Sequence, residues 1–134
     1  AFLREVVPFE RMLVQAGVQL FKYYLDISRD EQRQRLKARA RDPLTQWKTS
    51  PVDQAALVHW DDYTQARDRM LRRTHTPRAP WVIVCSDDKK AARLNTIRDL
   101  VGRIEHPGKN PHLQRPDRQI VFEFSPKCLP MLAR

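Results

Sequence analysis

VQLFKYYLDI at residues 18–27 and WVIVC at residues 81–85 are the stretches that decide the fold. Each is a short, nearly unbroken apolar and aromatic run, the pattern of a strand covered on both faces. Helical patterns follow both. Two buried strands alternating with helices predict a parallel sheet in an α/β protein. Just upstream, FLREVVPFERMLVQAG predicts a helix that enters at Pro8, buries Phe9, Met12, Leu13 and Ala16, and ends on Gly17 as a left-handed cap.

The segment between the two strands is longer than a simple crossover needs. It opens on Ser28-Arg-Asp-Glu31, a capping box in which the hydroxyl bonds a free backbone N–H and the Glu reaches back. The helix that follows, EQRQRLKARAR, has Leu36 as its one large apolar residue. A helix so polar has no face to bury, so it projects into solvent or covers something charged. Residues 29–48 hold seven basic side chains (Arg29, Arg33, Arg35, Lys37, Arg39, Arg41, Lys48) against three acidic ones. Arg35 and Arg39 are four apart and so point the same way. Asp42-Pro43 stops the helix. Charge runs are commonly solvated faces, but here planar guanidinium forks suit phosphate oxygens. The insertion also lies beside the carboxyl end of a parallel strand, where α/β proteins bind ligands.

A further helix starts at Ser50-Pro51-Val-Asp53 and runs to about Arg73, with Val52, Ala56, Trp60, Tyr63 and Met70 as its apolar stripe. After the second strand, Ser86-Asp87-Asp88 opens a last helix whose inner side carries Ala92, Leu94, Ile97, Leu100, Val101 and Ile104. From His106 the chain changes character. Five of its ten prolines (Pro107, Pro111, Pro116, Pro126, Pro130) fall there, which predicts an extended tail over residues 106–134 held against a neighbour.

Composition narrows the chemistry. The 134 residues carry 25 Lys and Arg against 16 Asp and Glu, a formal charge of +9, which attracts polyanions. Only three glycines are present, at 17, 102 and 108, too far apart for a glycine-rich phosphate loop. GRIEHPGK at residues 102–109 fails that motif in glycine spacing, in Asn110 where Ser or Thr should stand, and in following a helix. The four histidines and two cysteines (Cys85, Cys128) show no metal-ligand spacing, so no metal site is expected among these residues. No apolar run is long enough to span a bilayer. The chain starts on AFLREVV with neither Met nor a basic segment leading into an apolar one, which reads as a cut edge without a leader. A reducing, cytoplasmic setting is expected.

Taken in order, Glu31-Gln32, Arg35, Arg39, Asp42-Pro43, Trp47-Lys48 and Ser50-Pro51 resemble the lid region of the polyphosphate kinase 2 family. The likeness continues through Trp60-Asp-Asp-Tyr63, Thr74-His-Thr76, Ala79-Pro80-Trp81, Asp88-Lys89 and Ala92-Arg93-Leu94, and reaches Pro107-Gly-Lys109 and Pro116-Asp-Arg-Gln-Ile120. The opening FLREVVPFERML is similar to the helix after that family's second phosphate-site motif. This resemblance implies a P-loop kinase fold like thymidylate kinase, a parallel-sheet sandwich of which two strands and several helices are present here. Residues 1–105 would be the C-terminal part of the kinase domain, with a lid at about 28–50. It further implies phosphoryl transfer between inorganic polyphosphate and a nucleoside diphosphate (ADP or GDP), with Mg²⁺, in a cytoplasmic homo-oligomer.

By position, Arg35 and Arg39 would be catalytic lid cations, and Lys48, Lys89 and Arg93 would contact polyphosphate or nucleotide. The family's glycine-rich loop and its metal-handling Asp motif lie upstream of these residues, so the Mg²⁺ site is expected there and this chain is expected to be inactive alone. The alternative is a non-catalytic basic module that binds polyphosphate or nucleic acid. The basic stretch lacks interleaved aromatics for base stacking, which counts against nucleic acid.

Overall fold

A computed structural model describes residues 2–110, 112 and 115–133. Strand β1 (Lys22–Asp26) runs parallel to β2 (Trp81–Cys85), with Lys22 opposite Trp81 and Asp26 opposite Cys85. The expected parallel pair is therefore present. A third strand, β3 (Val121–Glu123), pairs antiparallel with β2 on its other side, so β2 is the centre of the sheet. That strand comes from the proline-rich tail. Tail residues Pro126–Met131 then form a 3₁₀ turn. The tail thus packs against its own sheet through β3 and this turn, where composition predicts an extended segment; Pro111, counted with it, falls outside the described residues.

Side chains alternate across a strand, and β2 uses both faces. Ile83 points into a cluster with Leu71, Phe124, Cys128, Leu129 and Leu132. Val82 and Val84 point the other way, against Ala92 and Val121. Each such fully buried aliphatic side chain contributes roughly 1.5–3 kcal/mol. The tail supplies Phe124, Cys128, Leu129 and Leu132, four of the six buried residues on one face of the sheet. β1 lies at the edge, and its Leu25 is exposed.

The helices depart from the periodicity reading in instructive ways. Helix α1 (Phe2–Gln15) begins well before Pro8, which sits inside it on an exposed position. Its buried residue is Glu10, while Phe9 and Met12 are exposed. Glu10 is drawn inward by Lys22, whose ammonium donates to the Glu10 carboxylate at 2.8 Å and to the Thr74 carbonyl at 2.6 Å, and lies 5.0 Å from the Trp81 ring centre. Gly17, at φ +86°, makes the left-handed cap that a side chain would strain.

The helix expected from Ser50 to Arg73 is two. Helix α3 (Pro51–Val58) and helix α4 (Trp60–Thr74) meet at His59, which caps the first and starts the second. The break turns Trp60 inward while leaving Val52 and Tyr63 exposed. Helix α5 (Lys89–Arg103) buries Ala92, Asn95 and Asp99, not Leu94 and Ile97. Asn95 accounts for part of that rotation: its side-chain carbonyl accepts the Asp117 N–H at 2.7 Å and anchors the tail.

Candidate functional site

Helix α2 (Arg29–Arg41) leaves the carboxyl end of β1 and buries none of its residues. Its N-terminus is half the capping box expected. The Ser28 hydroxyl accepts the Glu31 N–H at 3.2 Å, but Glu31 does not reach back. The Ser28 N–H donates instead to the Asp87 carboxylate at 2.8 Å, and the Glu31 carboxylate takes Arg35 Nε at 2.7 Å. Nearby, the Ser86 N–H donates to the Asp26 carbonyl at 2.7 Å. These bonds stitch the loop after β1 to the loop after β2.

Arg35 completes the stitch. Its Nη2 donates to the carbonyls of Ser86 and Asp87 at 2.6 and 2.9 Å. The guanidinium is thereby held across both strand ends, where it borders a cleft of about 430 Å³. Lys89 and Arg93, one turn apart at the start of α5, line the same cleft, and Leu25, Ala92 and Ile97 form its apolar wall. Among the described residues lining it there is no carboxylate, and although Glu31 pairs with Arg35 at 2.7 Å the lining keeps a net positive charge that suits an anion. Asp88 caps α5 from outside the cleft; the backbone N–H groups of Ala91 and Lys90 hold its carboxyl below the ordinary range. A larger cleft of about 560 Å³ under α1 mixes Arg11 and Arg78 with Glu10 and is less one-sided.

Of the five residues singled out in the sequence, then, Arg35, Lys89 and Arg93 converge. Arg39 does not join them. Its Nη1 donates to Asp53 at 3.1 Å, and the same Asp53 oxygen accepts the Ser50 N–H at 3.0 Å in a complete capping box. Arg39 therefore clips α2 to α3. Lys48 stands exposed in the 3₁₀ turn Gln46–Lys48, its ammonium 5.1 Å from the Trp47 ring centre.

One buried pair escaped the sequence reading. Arg67, on the buried side of α4, faces Asp26, the last residue of β1, at 3.4 Å. Helical spacing from Trp60 to Arg67 to Leu71 does put a charge on the apolar stripe, which was the available signal. Burial raises the Asp26 carboxyl above its ordinary pKa, against the opposing pull of the Ala133 N–H and Arg67.

Among the described residues, no three His, Cys, Asp or Glu side chains converge to hold a metal ion. No helix among them is long and apolar enough to cross a membrane.

Comparison with known proteins agrees with this architecture. The family model of Polyphosphate kinase 2 (PPK2) matches residues 1–112. NDP-polyphosphate phosphotransferase 2 of Ruegeria pomeroyi is 48% identical over 121 residues, covering 90% of this chain and 35% of that protein. GDP-polyphosphate phosphotransferase of Pseudomonas aeruginosa is 45% identical over 125 residues, covering 93% of this chain and 33% of that protein. The crystal structure of Polyphosphate Kinase 2 from Arthrobacter aurescens superposes with a TM-score of 0.65 at 39% identity, over 69% of this chain and 33% of that one. The chain spans about a third of the length of these relatives. With a family match over most of its residues and a fold shared with a solved member, this chain belongs to the polyphosphate kinase 2 family.

Proposed function

We propose that this chain is the lid-bearing portion of a kinase that moves a phosphoryl group between inorganic polyphosphate and a nucleoside diphosphate, ADP or GDP. The observation that carries the reading is the carboxylate-free cleft at the strand ends, where Arg35, Lys89 and Arg93 meet. A transferring phosphoryl group spreads negative charge over its equatorial oxygens, and a pre-positioned guanidinium stabilises that charge. Arg35 has that part. Its bonds to two carbonyls fix the side chain, and its Nε pairs with the Glu31 carboxylate.

Lys89 and Arg93 hold phosphates of the polyphosphate or the nucleotide at the N-terminus of α5. Arg39 and Lys48 act with the lid, residues 28–50, when it closes; Arg39 then exchanges the Asp53 carboxylate for a phosphate oxygen. The extended-core part, residues 1–105, and the tail, residues 106–134, form one unit of the kinase. The phosphate loop and the ligands for Mg²⁺ belong to the portion of the relatives that this chain does not span, so no step is assigned to the metal. The complete protein is cytoplasmic and assembles as a homo-oligomer.

The test is formation of ATP or GTP from the diphosphate, polyphosphate and Mg²⁺. A protein of the relatives' length that carries this chain is expected to form product, and the 134-residue chain is expected only to bind polyphosphate, with an affinity that falls as salt rises. Salt-sensitive binding without product from the longer protein would replace the kinase reading with that of a binding module.

A further inference from the structure

We propose that Asp26 and Arg67, pinned by the backbone of Ala133, are positioning residues through which the tail sets the place of Arg35. The proposal rests on the phosphoryl-transfer reading of the cleft and deepens it. Its anchor, Ala133, lies beyond residue 112, outside the part matched by the family model.

Arg67 is 7% exposed and Asp26 8%. Asp26 Oδ2 accepts the Ala133 N–H at 2.9 Å, and Arg67 Nη1 donates to the Ala133 carbonyl at 2.6 Å. Both hydrogen-bonding groups of one backbone residue are thus read by one buried ion pair. Asp68 holds the guanidinium from its other edge, at 2.9 Å from Nε. A buried ion pair is a poor way to gain stability, because apolar packing of the same volume does as well or better. What it offers is direction. The tail arriving at this pair is no loose end, since Leu129 and Leu132 are buried with Leu71 and Ile83.

From the pair, a short path of hydrogen bonds reaches the cleft. Asp26 ends β1 and gives its carbonyl to the Ser86 N–H. Two residues on, Ser28 caps α2 and donates its N–H to Asp87. Arg35 then grips the carbonyls of Ser86 and Asp87. Displacing Asp26 therefore moves the root of α2 and the carbonyls that seat the guanidinium. A shift of about 1 Å at a group that acts on the transition state can lower turnover on the order of a hundredfold.

The test uses Ala133→Pro, which deletes the N–H and keeps the carbonyl, in a protein of the relatives' length that carries this chain. Amide hydrogen exchange is expected to quicken tenfold or more at Ser28 and Ser86 and less than twofold at Leu71 and Ile83. Equal acceleration at all four would mean a merely structural tail and would overturn the proposal, as would no change at Ser28 and Ser86. Should Ala133→Pro fail to fold, Asp26→Ala removes the acceptor of the same N–H and gives the same reading from the strand side. In turnover, Arg67→Lys retains the charge but loses the fork. It is expected to lower kcat fivefold or more with the KM for polyphosphate within twofold, and unchanged kcat would overturn the proposal. If the unaltered protein transfers no phosphoryl group at all, the kinase reading fails, while the exchange pattern still decides whether the tail positions the strand ends.

Discussion

Helix α2 hydrogen-bonds to the loop that follows strand β2, yet helix and strand are held by opposite means. The thirteen residues of α2 include none that is buried, whereas three of the five in β2 are. β2 is fixed by area, with Val82, Ile83 and Val84 each 2% exposed or less. α2 is fixed by a few directional bonds: the Ser28 cap, Arg35 on two carbonyls, Arg39 on Asp53, and Arg29 Nη2 on the Leu57 carbonyl at 3.3 Å. Area is lost gradually as packing loosens, but directional bonds can be exchanged one for another. An element that must meet a charged ligand and release it is better built the second way, and such elements open at low free-energy cost.

The comparison is most easily broken with paired truncations. Leu71→Ala, in the core beside Ile83, should cost roughly 3–5 kcal/mol in denaturant unfolding. Leu36→Ala, in the middle of α2, should cost under about 1 kcal/mol, because little apolar area is removed. Similar losses would show that α2 is packed after all. Arg35→Ala, in a protein of the relatives' length, should lower kcat on the order of 10²–10³-fold, with stability lowered by about 1–3 kcal/mol. A loss of folded protein that accounts for the whole fall in kcat would assign Arg35 to folding. Ser50→Ala tests the clip between α2 and α3 and should cost about 1 kcal/mol, read out as faster amide exchange confined to α3.

The smallest effect is one of pH. Burial raises the Asp26 carboxyl in the folded chain, so the folded state binds the proton more tightly than the unfolded state does. Stability should therefore decline as pH rises from the ordinary carboxylate pKa through the raised one. Asp26→Asn should flatten that part of the pH–stability curve, and a slope that survives the substitution would point to another group.

How far the fold could be read in advance follows the same division. WVIVC was legible residue for residue, because a short apolar run is sufficient to mark a central strand. So were the left-handed Gly17 and the Ser50–Asp53 capping box, which are local signals with local causes. Arg35, Lys89 and Arg93 were singled out through the family resemblance, and the cleft they share depends on how the two strand ends meet, which local sequence does not show. Periodicity failed at Phe9, Met12, Leu94 and Ile97 because it shows which residues are apolar and not which side of a helix meets the sheet. It missed β3 because three residues are too few to alternate, and it missed the break at His59 because neither Gly nor Pro marks it. Arg39 pointed the right way but met Asp53, a contact set by the angle between two helices.

The tail's place in the core also bears on how the chain is made. Lys22 pairs with Trp81, so β1 leaves the ribosome well before its partner strand exists. At roughly 5–20 residues per second, the interval is about 3–12 s. The cluster around Leu71 and Ile83 waits longer still, for Phe124, Leu129 and Leu132. Through that delay the nascent chain exposes half-finished sheet faces, while α2, in which eight of thirteen residues are charged, stays dissolved. Synthesis order thus places the packing of the tail after that of β1 and β2, and a pause or nick before residue 121 would leave those two strands made and one side of the core without Phe124, Leu129 and Leu132.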